Sequence, residues 1–155
     1  MAAGTWRKES EEKIIRAVTL SNLMNIYLDY RSNEYAHLSP ECYCGGVAPA
    51  AAACGVAYLR GDSAQVLNDI VRTGLGNQAG IICDGAKASC AAKIASAVDA
   101  GIMGFEMYRL NRQFYGGDGI VAKGVENTIR NVGLLGHDGM RATDEMILKI
   151  MIHHT

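Results

Sequence analysis

From Val47 to Leu59 the chain reads Val-Ala-Pro-Ala-Ala-Ala-Ala-Cys-Gly-Val-Ala-Tyr-Leu, with no charged residue and no amide side chain. Alanine favours helix, and a helix with so little polar surface has to be wrapped by others. This run therefore predicts a central buried helix. Its Pro49 is placed in the first turn, because deeper inside a helix proline costs about 3 kcal/mol.

The flanking segments supply the wrapping. Ile14, Ile15, Val18, Leu20, Leu23, Met24, Tyr27 and Leu28 recur at helical spacing, so a first helix is expected over about 10–30. The polar stretch Arg31–His37 reads as a loop, and Ser39-Pro40-Glu41 as a helix start. Asp62-Ser63 is expected to cap a short amphipathic helix through Val66, Leu67, Ile70 and Val71, closed by Gly74 and Gly76. Asp84 is a candidate cap for a long helix reaching about Met107. Two further helices are expected, over about 122–134 and 141–152. Gly116-Gly-Asp-Gly119 lacks both a preceding strand and a phosphate-binding lysine, and reads as a turn.

Alternating β-branched runs are scarce, while glycine numbers 18 against two prolines. Short side chains at that density let helices approach closely. The expected architecture is all-α: a compact bundle of about six Gly/Ala-rich helices with buried central helices. With 155 residues and no repeat or linker, one domain spanning 1–155 is the economical expectation.

A net charge of −1 offers no basic field for nucleic acid and no cationic face for lipid. No apolar run is long enough for a membrane span, and the N-terminus lacks a signal-peptide core. A cytoplasmic location is the resulting expectation. In such a compartment Cys42, Cys44, Cys54, Cys83 and Cys90 are free thiols, either small core residues or ligands. Cys54, mid-helix among alanines, reads as packing. Cys42 and Cys44 precede the buried helix, while Cys83 and Cys90 flank the next helix start. Backbone amides at a helix start stabilise a thiolate, so these segments can converge on one soft metal centre. Structural cysteine stands beside that reading. The spacing is not a paired CxxC zinc pattern. His37, His137 and the terminal His153-His154 read as surface residues.

Several stretches together resemble one family. They are Arg16-Ala-Val-Thr-Leu-Ser-Asn-Leu23, Gly80-Ile-Ile-Cys-Asp-Gly-Ala-Lys87 followed by Cys90, Gly117-Asp-Gly-Ile120, Ile129-Arg-Asn-Val-Gly133 and Gly139-Met140. The chain is similar over nearly its whole length to the C-terminal part of the L-cysteine desulfidase family, related to the α-domain of iron–sulfur L-serine dehydratases. The resemblance implies a [4Fe–4S] cluster held by three thiolates with one iron open, and β-elimination from a small amino acid to give pyruvate and ammonia. By match, Cys83 and Cys90 would be two ligands, and Cys44 or Cys42 the third, with Cys44 preferred.

Family members are longer and carry a glycine-rich substrate loop and a catalytic cysteine upstream. The stretch Cys42-Tyr43-Cys44 departs from their Cys-Gly-Cys, and Pro49 stands where glycine is expected. The expectation is therefore a truncated or stand-alone cluster-binding domain of a β-eliminating lyase, inactive without its upstream half. Two rivals stand beside it. One is a helical interaction module that has lost the cluster and acts through self-association or a partner. The other is a zinc site built from the same thiols.

Overall fold

A computed structural model describes residues 1–36, 43–85 and 87–153. The fold is all-α, as expected. Among the described residues, seven α-helices run in the order α1 (Ala2–Trp6), α2 (Glu11–Ala36), α3 (Tyr43–Arg60), α4 (Ala64–Gln78), α5 (Ala88–Arg109), α6 (Val125–Leu134) and α7 (Arg141–His153), with a π-helical turn (Leu135–Gly139) joining α6 to α7. Ser39-Pro40-Glu41, His37, Cys42 and His154 lie outside the described residues.

The apolar run of the sequence becomes the centre of the bundle. Helix α3 packs against α2, α4 and α5, and α2 and α4 are bridged in turn by α6. One apolar cluster draws Leu28 from α2, Cys54 and Ala57 from α3, Ile70 and Val71 from α4, Phe105 from α5 and Ile129 from α6. Full burial of each large aliphatic side chain contributes about 1.5–3 kcal/mol. Ser10 starts α2 by accepting the Lys13 amide N–H on its hydroxyl at 3.3 Å, and Glu11 and Glu12 follow where the helix dipole favours negative charge.

Direction matters more to function than packing alone. Gly55 of α3 lies against the Ala17 carbonyl and Ser21 of α2, and Ile14 shares a groove with Leu59, so α2 and α3 are antiparallel. Gly101 of α5 lies against Ala53 and Pro49 of α3, while Arg60 stacks over the Phe105 ring at 3.9 Å. Residue numbers therefore rise together along α3 and α5, and the two helices are parallel. Glu126 of α6 pairs with Arg31 of α2, and Gly133 lies against Ser32 and Tyr35. Those two helices are parallel as well.

Four sequence expectations need correction. First, α2 continues to Ala36 instead of ending near Tyr30. The polar residues 31–36 stay helical because α6 packs on them: Ser32 is buried and Tyr35 abuts Gly133. Second, Pro49 is the seventh residue of α3, past its first turn. Its ring is fully buried, and that burial offsets the lost backbone hydrogen bond. Third, Gly74 and Gly76 do not close α4, which runs to Gln78; they face Ala50 and Val121 closely. Fourth, Asp84 is not a helix cap. Helix α5 begins at Ala88 with Lys87 in the capping position, because Gly85, at φ +97°, turns the chain first. Ser63 does hold the capping position of α4, but without a side-chain hydrogen bond.

Candidate functional site

The directions of the helices bring one set of ends together. The C-terminal half of α2, the first turn of α3, the last turn of α4, the first turn of α5 and the π-helical turn after α6 all lie at the same end of the bundle. Counting from the Ala53–Gly101 contact, Cys44 lies nine residues back along α3 and Cys90 eleven residues back along α5. At 1.5 Å per residue these are about 13 Å and about 16 Å toward that end. Both cysteines thus occupy first turns at nearly the same level, where helix amides have no intrahelical partner and favour negative charge.

Cys83 and Cys90 are partly exposed. Cys83 belongs to the connection between α4 and α5. That connection is fixed by Lys93, one turn beyond Cys90 on α5. The Lys93 ammonium donates to the Ile82 carbonyl at 2.8 Å and to the Asp84 carboxylate at 2.7 Å. It therefore grips the residues on both sides of Cys83. The hydrogen bond from Lys93 holds the Asp84 carboxyl below the usual carboxylate range. Cys90 closes the arrangement: its amide donates to the Lys87 carbonyl at 2.9 Å, and its thiol donates to the Gly85 carbonyl at 3.3 Å.

Sequence reading missed Lys93 as a site residue. The signal was present in the i, i+3 spacing from Cys90, which places both on one face of a helix.

The remaining candidates separate clearly. Cys54 is fully buried in the core, and burial pushes its thiol up to about 12, so it packs as a small apolar residue. Cys42 lies outside the described residues; Cys44 is described in backbone only, in the first turn of α3. Among the described residues no three His, Cys, Asp or Glu side chains converge as a metal-ligand set. Of the four cysteines expected as ligands, Cys83 and Cys90 are the two whose side chains the structure describes. Gly116–Gly119 forms a turn closed by the Gly117 amide on the Val121 carbonyl. The Asp118 carboxylate accepts from the Tyr115 amide. His137 sits in the π-helical turn beside Asp138. No helix of the described residues is long and apolar enough to cross a membrane.

A cleft of about 450 Å³ is lined by Ile82, Asp84 and Lys87 of the α4–α5 connection, the first two being the chain neighbours of Cys83, and by Ile147, Ile150 and Met151 of α7.

Comparison with known proteins supplies the family. The family model of the serine dehydratase alpha chain matches residues 1–149. A UPF0597 protein of Desulfitobacterium hafniense is 46% identical over 148 residues, which is 94% of this chain and 33% of that relative. A UPF0597 protein of Lachnoclostridium phytofermentans is 46% identical over 144 residues, 92% of this chain and 33% of the relative. One of Treponema denticola is 46% identical over 147 residues, again 94% and 33%. The chain thus spans about a third of the length of these relatives. No solved structure matches it. On a match that covers nearly every residue, the chain belongs to the serine dehydratase alpha chain family.

Proposed function

We propose that this chain is the iron–sulfur cluster-binding portion of a β-eliminating lyase acting on a small amino acid such as serine or cysteine, inactive until joined by the rest of a family-length protein. The observation that carries the reading is the gathering of thiol-bearing segments at one end of the bundle: Cys44 and Cys90 in the first turns of parallel helices, and Cys83 on the connection that Lys93 clamps. A reducing, cytoplasmic setting keeps such thiols free for ligation.

This donor set suits the cluster that the family implies. Cys83, Cys90 and either Cys44 or Cys42 would hold a [4Fe–4S] cluster through three thiolates. When bound, the cluster supplies an open iron as Lewis acid toward the hydroxyl or thiol leaving group. The protein's own part is positioning. Lys93 fixes the backbone on either side of Cys83. The first-turn amides of α3 and α5 favour the negative charge of a thiolate-ligated centre.

Anaerobic reconstitution tests the reading. The expected product is brown, with broad absorbance near about 400 nm. A colourless preparation without iron contradicts it, and metal analysis separates that result from zinc held by the same thiols. One observation favours the interaction-module reading: α7 has no buried residue. A colourless, metal-free chain that still binds a partner would establish it.

A further inference from the structure

Helix α7 is the least covered element of the fold. Among the described residues it packs against no other α-helix, and beyond the π-helical turn it meets the α4–α5 connection, where Met151 lies near Gly85. None of its residues is buried. Yet it carries Met146, Leu148, Ile150, Met151 and Ile152 in exposed positions, with Leu148 at 58% and Ile152 at 59%. Exposed apolar side chains at this density around one helix mark an interaction site. It also has the make-up of an interface. Four of the six residues that line the cleft, Ile82, Ile147, Ile150 and Met151, are apolar, and the other two, Asp84 and Lys87, are charged. A mainly apolar lining with a few charged groups is common in protein contacts.

We infer that the cleft between α7 and the α4–α5 connection, with the exposed apolar residues of α7 around it, is the seat for the portion of a family-length protein that lies outside this chain. Two observations select this occupant. First, relatives that are 46% identical are about three times as long, this chain covering 33% of each, so two thirds of a family-length protein must pack somewhere. Second, the surface is too small for a second copy to be its occupant. A 13-residue helix is about 20 Å long and presents on the order of 300 Å². Pairing it with itself buries about 600 Å² in all, against about 1,200 Å² or more in stable complexes. A segment of the same polypeptide needs far less area, because its effective concentration is already in the millimolar range. The occupant is thus an apolar segment of the same family-length chain, seated against the connection that carries Cys83. The inference rests on family membership and on the exposure of α7, and it stands whether or not a cluster is bound.

Methionine oxidation tests it in metal-free protein. The isolated chain is compared with a family-length protein in which the 148 matched residues of the Desulfitobacterium hafniense relative are replaced by this chain. Met146 and Met151 are exposed in the isolated chain, whereas Met140 is buried and serves as the internal control. Peroxide is expected to oxidise Met146 and Met151 rapidly in the isolated chain and several-fold more slowly in the family-length protein, with Met140 slow in both. Equal rates in the two proteins overturn the inference. Protection that grows with concentration of the isolated chain overturns it too, because a second copy is then the occupant. Leu148→Glu in the isolated chain is expected to leave the melting temperature unchanged. A clear drop would mean that α7 packs on its own chain, which also overturns the proposal without recourse to the family-length protein.

Discussion

A methyl group added to Gly101 would lie 2.6 Å from the Ala53 Cβ. At this contact α3 and α5 meet backbone against backbone, and their parallel course carries Cys44 and Cys90 to the same end of the bundle. The contact leaves no room for a side chain. Gly101→Ala is therefore expected to destabilise the fold by about 1–3 kcal/mol, despite alanine's better helix propensity. Gly46→Ala is the control: nothing lies within 4 Å of its added Cβ, so it is expected to be neutral or to stabilise by up to about 1 kcal/mol. Thermal or urea unfolding of the two variants measures the contrast.

The cysteines should divide by reactivity. Cys54 is fully buried with its thiol pushed up to about 12; Cys83 and Cys90 are partly exposed. Iodoacetamide at neutral pH should alkylate Cys83 and Cys90 in the native, metal-free chain and leave Cys54 untouched until denaturant is added. Peptide mass spectrometry reads the three sites separately.

Lys93 should act on Cys83 through the backbone. Its ammonium holds the Ile82 carbonyl and the Asp84 carboxylate, the neighbours of Cys83 on either side. Lys93→Met is expected to speed Cys83 alkylation several-fold while leaving Cys54 inert, and to lower iron retention after reconstitution. Lys93→Arg, which keeps the charge, should restore part of both. A merely structural lysine would change the melting temperature without shifting Cys83 selectively.

The same pair sets a pH dependence. The hydrogen bond from Lys93 lowers the Asp84 carboxyl below the ordinary carboxylate value of about 4. A depressed folded-state pKa contributes stability that is fully present above the unfolded value and disappears as pH falls through the folded one. Loosening of the α4–α5 connection is thus expected in acid, below about pH 4, and not at neutral or alkaline pH. An NMR titration of the Asp84 carboxyl should show a midpoint that rises toward the ordinary value in Lys93→Met.

Much of this fold was legible in periodicity. The run 47–59 had to be central because it has no polar face, and α7 was placed closely, while α6 begins at Val125, later than the expected start near Ala122. What local sequence could not reveal came from tertiary contacts. Polar residues 31–36 remain helical because Gly133 of α6 packs on Ser32 and Tyr35. Pro49 is tolerated inside α3 because the core buries its ring. Asp84 pairs with a lysine nine residues on instead of capping a helix, a choice that depends on how α5 returns past the connection. The short α1 and the π-helical turn carry no periodic signal at all. At the site, the thiol pattern singled out Cys83 and Cys90 beforehand, but their support by Lys93 became visible only once the chain was folded.

Iron and acid-labile sulfide, measured after anaerobic reconstitution of the wild type, Cys83→Ala and Cys54→Ala, test the central claim most directly. The account predicts about four irons and about four sulfides per chain in the wild type, a marked loss in Cys83→Ala, and no loss in Cys54→Ala that still folds. No iron in the wild type, or equal iron in all three proteins, would contradict it.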